Sequence, residues 1–190
     1  MNSTVLIAAG ARGKVEGDLV VAAELGTALA NAGYDILTGG GYGMMAAIAE
    51  AHRAAGGNAK GLSLESIAAR RSPPASYPVA LATTLFSRKQ EMLRLCDRAV
   101  LLPGGVGSLD ELFEMLCAKK LGHWDGTIVI FNHRSYYDSL LTQLEQCVFD
   151  GYLSGERSLY RVAATVQSVV KALSSGVTAW EETSSSRAPT

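Results

Sequence analysis

The chain has 190 residues, which at about 150 residues per domain fits one compact domain. Seventeen Lys and Arg against eighteen Asp and Glu leave a formal charge of −1. That balance excludes a nucleic-acid coat or a polybasic membrane binder, since either carries a basic excess. With 48% hydrophobic and 18% charged residues, the chain can bury a sizeable core, and disorder is excluded for its body.

Short apolar runs alternate with longer helical stretches. A strand is predicted at Thr4–Ala9, then a helix over about Gly17–Ala32, a strand at Tyr34–Leu37 and a helix over Gly43–Ala55. Strands at Ala59–Ser63 and Val79–Thr83 follow, separated by a surface loop, Glu65–Pro78, rich in Pro and Arg. Next come a helix at Ser87–Cys96, a strand at Ala99–Leu102, a helix at Ser108–Leu121 and a strand at Thr127–Phe131. Helices near Tyr137–Val148 and Thr165–Ser174 close the pattern, with a short strand at Tyr160–Val162 between them. Strands that are continuously apolar and joined by helices imply a parallel sheet covered on both faces. The expected fold is therefore α/β: a single doubly wound, Rossmann-like sheet over residues 1–175, followed by a flexible tail at 176–190. Ligands in such folds sit where strands end and helices begin.

Cys96, Cys117 and Cys147 are odd in number and form no CxxC pair, so no disulfide framework or structural zinc site is expected. They read as buried helical thiols of a reducing compartment. No apolar run approaches a membrane span and no signal segment is evident, so a soluble, cytoplasmic protein is expected. His52, His123 and His133 lack metal-ligand spacing; His52 reads as a helix-surface residue and the others as loop residues.

Two glycine-rich turns carry the chemistry. Gly39-Gly40-Gly41-Tyr42-Gly43 follows a strand and opens a helix, where backbone N–H groups and the helix dipole favour an anion. Gly41, Gly43 and Ala46, with Glu65 downstream, loosely match the GxGxxA dinucleotide pattern, but after the second strand rather than the first. Pro103-Gly104-Gly105-Val106-Gly107-Ser108-Leu109-Asp110-Glu111 again runs from strand to helix. There Ser108 can join the amides around a phosphate, or simply cap the helix. No Lys-Ser/Thr pair follows the glycines, which excludes a Walker A loop.

Leu109, Leu112, Phe113 and Leu116 fall at helical spacing and are expected to face the sheet. At about 100° per residue, Glu111 then lies about 150° from that stripe, with Ser108, Met115 and Ala118, on a side that lines a cleft or a second subunit. Equally, Glu111 can serve only the helix dipole. Arg88 opens the preceding helix at the same sheet edge. It and Glu111 can converge on one pocket, or form no more than an ion pair. Tyr42 and Phe86 can stack on a base or pack.

Phe86-Ser87-Arg88-Lys89, Met92 and the Pro103–Glu111 stretch resemble the LOG family, whose pattern is an Arg-Lys pair upstream of PGGxGTxxE with an earlier GGG turn. Gly39–Gly43 with Met45, Tyr136–Leu141 and Asp150-Gly151-Tyr152 extend the likeness over about residues 4 to 173. The resemblance implies a homodimeric phosphoribohydrolase that cleaves the N-glycosidic bond of a nucleoside 5′-monophosphate, of the AMP or cytokinin riboside type, to free base and ribose 5-phosphate. It places catalysis on Arg88 and Glu111. Nucleotide contacts fall on Gly39, Gly40, Gly41, Gly43, Lys89, Gly104, Gly105, Gly107 and Ser108. No metal, organic cofactor, nucleic-acid polymer or membrane is implied. The alternatives are a carrier of phosphorylated pterin on the same fold, or a glycosidase for another nucleotide. The family's Thr is Ser108 here, and Ala9-Gly10-Ala11-Arg12 lacks the hydroxyl that commonly ends the first strand. Members are often named lysine decarboxylases, but the chain has no Ser-x-His-Lys segment for a pyridoxal Schiff base.

Overall fold

The computed structural model describes residues 3–11, 16–74, 76–153 and 159–174. The expected tail at 176–190 lies outside them, as does Arg12. Among the described residues seven strands form one parallel sheet: β1 (Thr4–Ala8), β2 (Asp35–Thr38), β3 (Ala59–Leu64), β4 (Val79–Ala82), β5 (Arg98–Leu101), β6 (Thr127–Phe131) and β7 (Arg161–Ala163). Their spatial order is β4-β3-β2-β1-β5-β6-β7. Every recorded pairing is parallel, as the unbroken apolar runs require.

Alternate strand residues feed two cores. Val5, Ile7, Ile36, Val100, Val129 and Phe131 point to one face, where α1 (Glu16–Asn31), α2 (Met44–Ala54) and α7 (Val166–Ser174) cover them. Leu6, Ala8, Leu37, Leu101, Ile128 and Ile130 point to the other, under α4 (Leu85–Leu95) and α5 (Val106–Lys120), with α6 (Asp138–Phe149) alongside. Gly26 lets α1 and α2 cross closely, since a Cβ there would stand 2.3 Å from the Ile48 carbonyl oxygen. The expected loop at Glu65–Pro78 contains a short helix, α3 (Glu65–Ala68), and ends in a buried tyrosine, Tyr77.

Helix starts differ from expectation for local reasons. The fourth helix begins at Leu85 because Thr84 caps it: its Oγ1 accepts from the Ser87 N–H at 3.0 Å, and the Ser87 Oγ accepts from the Thr84 N–H at 3.2 Å. The fifth begins at Val106 because Gly105 is its N-cap. Of the three cysteines only Cys96 is buried, its thiol pushed up to about 12 by burial, whereas Cys117 is exposed and Cys147 half-buried. His52 is fully buried rather than on a helix surface: its Nδ1 lies 3.0 Å from the Gly26 carbonyl oxygen.

Candidate functional site

Strand order reverses at β1, which pairs with β2 on one side and β5 on the other. The helices after β1 and β2 cover one face and the helix after β5 covers the opposite face, so a crevice opens above the ends of β1 and β5. The Gly10 N–H donates to the Pro103 carbonyl at 3.1 Å and ties the two loops together at its base.

The two glycine turns play different structural parts. The first is a packed wall. The Gly40 N–H donates to the Thr38 Oγ1 at 3.1 Å, and the Tyr77 hydroxyl lies 3.2 Å from that Oγ1 while donating to the Gly41 carbonyl at 3.0 Å. Gly40 and Gly43 hold φ of 71° and 64°, a region costly for residues with a Cβ. A Cβ at Gly39 would stand 2.6 Å from the Arg88 Nη2, so this glycine lets the guanidinium lie against the turn.

The second turn is open. A Cβ on Gly105 or Gly107 would meet nothing within 4 Å. The first N–H groups of α5 have no partner within the helix and carry the positive end of its dipole. Ser108 is the third helical residue, not the cap, and is 4% exposed. Its Oγ turns back onto Gly104, where a Cβ would come within 2.2 Å of it. The Tyr136 hydroxyl donates to the Gly104 carbonyl at 2.8 Å, and the Tyr137 hydroxyl donates to the Leu102 carbonyl at 2.7 Å.

Between the turns the Arg88 Nη2 lies 2.9 Å from the Glu111 Oε1, with side chains only 12% and 9% exposed. The Arg88 Nε also donates to the Leu62 carbonyl at 2.8 Å, so backbone and carboxylate together fix the guanidinium plane. Burial pushes the Glu111 carboxyl above the ordinary glutamate value, and the Arg88 charge opposes that rise. This arrangement keeps a carboxylate and a cation within reach of a ligand seated on the open turn.

The expected orientation of the fifth helix is corrected. Ser108, Glu111, Leu112, Met115 and Leu116 form its buried side, whereas Phe113 is 44% exposed. Both stripes have helical spacing. The buried one carries two polar residues at its N-terminal end, where the helix meets Arg88, so hydrophobicity alone turns the face partly aside: of the expected stripe Leu112 and Leu116 are buried, Leu109 is half-buried and Phe113 is exposed. Lys89 pairs with two carboxylates of α5: its Nζ lies 3.0 Å from an Asp110 oxygen and 2.9 Å from one of Glu114, and bonding to Glu114 raises its pKa. Tyr42 donates its hydroxyl to the Ser72 carbonyl at 2.9 Å with the Arg71 guanidinium 3.6 Å over its ring, and Phe86 is 65% exposed. Among the described residues, no group of three or more His, Cys, Asp or Glu is arranged to hold a metal ion.

Tyr77 and Thr38 were missed in the sequence as supports of the first turn. The signal for Tyr77 is faint: a lone aromatic among prolines, immediately before a strand. Tyr136 and Tyr137 stood out only as part of the family likeness.

Comparison with known proteins gives a consistent placement. Residues 45–173 match the family model described as "Possible lysine decarboxylase". A cytokinin riboside 5′-monophosphate phosphoribohydrolase of Mycobacterium tuberculosis is 36% identical over 138 residues, 72% of this chain and 74% of its own. The phosphoribohydrolase LOG1 of Arabidopsis thaliana is 31% identical over 169 residues, 87% of this chain and 79% of its own. Among solved structures, the Moco carrier protein of Chlamydomonas reinhardtii superposes with a TM-score of 0.69 over 90% of this chain and 95% of its own, at 21% identity, a likeness of fold. The open PGGxGS turn, the Arg88–Glu111 pair and these relatives agree, and the chain belongs to the LOG family.

Proposed function

We propose that the chain hydrolyses the N-glycosidic bond of a nucleoside 5′-monophosphate, releasing free base and ribose 5-phosphate. The observation that carries this reading is the buried Arg88–Glu111 pair standing between the two glycine turns. The 5′-phosphate sits on the N–H groups of Gly105 and Gly107 at the start of α5, with the Ser108 hydroxyl beside Gly104. As the C1′–N bond breaks, positive charge grows on the ribose. The Glu111 carboxylate stabilises that charge and orients the attacking water, while Arg88 holds the carboxylate and faces the leaving base. Gly39, Gly40, Gly41 and Gly43 form the wall against which Arg88 and the nucleoside are held. Lys89 acts by bracing α4 on α5 rather than by touching phosphate. The names of the M. tuberculosis and A. thaliana relatives support this chemistry. A pterin carrier would need the anion site but no carboxylate beside it.

The chain acts as a homodimer in the cytoplasm. Phe113, Leu121, Phe149 and Tyr152 are exposed apolar residues of α5, α6 and the turn after α6, and a groove of about 400 Å³ lies between these helices. Burying them against a second copy removes that surface from water. Exposed Cys117 fits a reducing compartment.

The test offers a panel of nucleoside 5′-monophosphates, including AMP and N6-isopentenyl-AMP, beside the matching nucleosides, and assays base and ribose 5-phosphate. Release that needs the phosphate, and falls more than about 100-fold in Glu111→Gln while nucleotide binding persists, is the expected result. Saturable nucleotide binding with no release from any member of the panel overturns the hydrolase reading.

A further inference from the structure

A second arginine–carboxylate pair stands at the same edge of the sheet and has no part in the chemistry above. Arg134 Nη2 lies 2.5 Å from Asp18 Oδ1, with Asp18 buried in the first turn of α1 and the Arg134 side chain 45% exposed. Arg134 belongs to a 3-10 turn, His133–Ser135, that follows β6. In that turn Arg134 and Ser135 hold φ of 53° and 58°, unfavourable for residues with a Cβ.

The surroundings hold the turn in this shape. The Asn132 Nδ2 donates to an Asp138 carboxylate oxygen at 2.7 Å, and the Asn132 Oδ1 accepts from the Tyr137 N–H at 2.7 Å. Tyr136 and Tyr137 then reach the Gly104 and Leu102 carbonyls, so the turn is tied directly to the loop that begins the open glycine turn. β5 lies between β6 and β1. The end of β6, which carries Arg134, and the start of α1, which carries Asp18, therefore flank the end of β5, where Pro103 and Gly104 lie.

This position has an electrostatic meaning. Asp18, on the helix that follows β1, and the α5 amides, on the helix that follows β5, stand at the same edge of two neighbouring strands, and a bare carboxylate at that edge disfavours a phosphate dianion. Arg134 cancels that charge. Its planar fork carries five N–H donors, and its half-exposed side chain can meet phosphate oxygens while Asp18 keeps its orientation. Residues 103–111 carry amides and one hydroxyl but no Lys or Arg, and the nearby cations Arg88 and Lys89 are paired with Glu111 and with Asp110 and Glu114.

We propose that, among the described residues, Arg134 supplies a side-chain cation to the phosphate site, binding the phosphate monoester of the ligand and oriented for that task by Asp18. This rests on the reading that the ligand's phosphate sits at the start of α5. The experiment measures kcat and KM for the best nucleoside monophosphate. Calorimetric affinities for ribose 5-phosphate and for the matching nucleoside are measured alongside, in wild type, Arg134→Ala, Arg134→Gln and Arg134→Ala/Asp18→Asn. Arg134→Gln keeps the stem should the alanine variant fold poorly. Loss of a charge-assisted contact is expected to raise KM and the ribose 5-phosphate Kd about 10- to 100-fold, with kcat within about twofold and nucleoside binding unmoved. The double variant stays as weak as the single one. Recovery of affinity in the double variant overturns the proposal, because Arg134 then does no more than mask Asp18. Equal losses for nucleotide and nucleoside overturn it as well. Wild type that binds no phosphate monoester fails both this proposal and the reading beneath it, whereas phosphate binding indifferent to Arg134 fails this proposal alone.

Discussion

Arg88 holds Glu111 at 2.9 Å through one nitrogen of its fork and the Leu62 carbonyl at 2.8 Å through another. A lysine would bring both acceptors to one ammonium and lacks the fixed plane that sets their directions here. Burial raises the Glu111 pKa and Arg88 restrains the rise. If the ionised carboxylate does the work, the acid limb of the kcat/KM profile lies above the ordinary 4.5 of glutamate. Removing the cation in Arg88→Ala moves that limb to still higher pH and lowers the plateau. A pH–rate series on wild type and Arg88→Ala checks both, and an acid limb unmoved by the substitution would place the titration elsewhere.

Gly107 separates stability from binding. It is the second residue of α5 and faces open space. Alanine there is expected to stabilise the helix by about 0.5–1 kcal/mol. It also plants a methyl where a phosphate would approach the amides. Gly107→Ala should therefore melt at the wild-type temperature or above it, yet bind nucleotide at least about tenfold more weakly, for a loss of about 1.4 kcal/mol. Thermal melts and calorimetry on the same preparation decide it.

Tyr77→Phe removes one hydroxyl, taking the donor from the Gly41 carbonyl and leaving the Thr38 hydroxyl with the Gly40 N–H alone. The expected cost is about 1–3 kcal/mol of stability, measured by urea unfolding. The first glycine turn supports Arg88 through Gly39, so the variant should also lower kcat. A stability loss with unchanged kcat would separate the turn from the reaction.

His52 makes stability depend on pH. Burial lowers its pKa below the ordinary 6.5, while its hydrogen bond to Gly26 opposes the fall. The unfolded chain then takes up a proton first as pH drops. Stability from this residue is complete above 6.5 and is lost as pH falls from there through the lowered folded value. Asparagine can keep a donor to the Gly26 carbonyl without titrating. His52→Asn should therefore flatten the decline in melting temperature on the acid side of pH 6.5, and a parallel decline in both proteins would rule His52 out as its source.

The inner strands were legible because they are buried on both faces, unlike the edge strands β4 and β7. Thr127–Phe131 is buried at every position, which reads as a parallel strand from sequence alone. The glycine turns were legible because clustered glycines after strands have few other uses. Facing was harder. The fifth helix offers two stripes of suitable spacing, and only contact with Arg88 makes the one holding Glu111 the inner one. His52 was misread because its partner is a carbonyl on another helix, and Tyr77 because loop composition hides a residue that packs inward.

The pairing of β1 with both β2 and β5 bears on how the protein is made. Thr4–Ala8 is translated before the other strands of this sheet, yet one of its edges stays bare until Arg98–Leu101 has emerged. A nascent chain that has completed β4 already holds the first glycine turn and its Tyr77 support, but neither Arg88 nor Glu111. Domains commonly fold as they are synthesised, and an open strand edge is exposed to wrong pairing during that wait. The central strand of the sheet is thus the one most exposed to mispairing while the rest of the chain is translated.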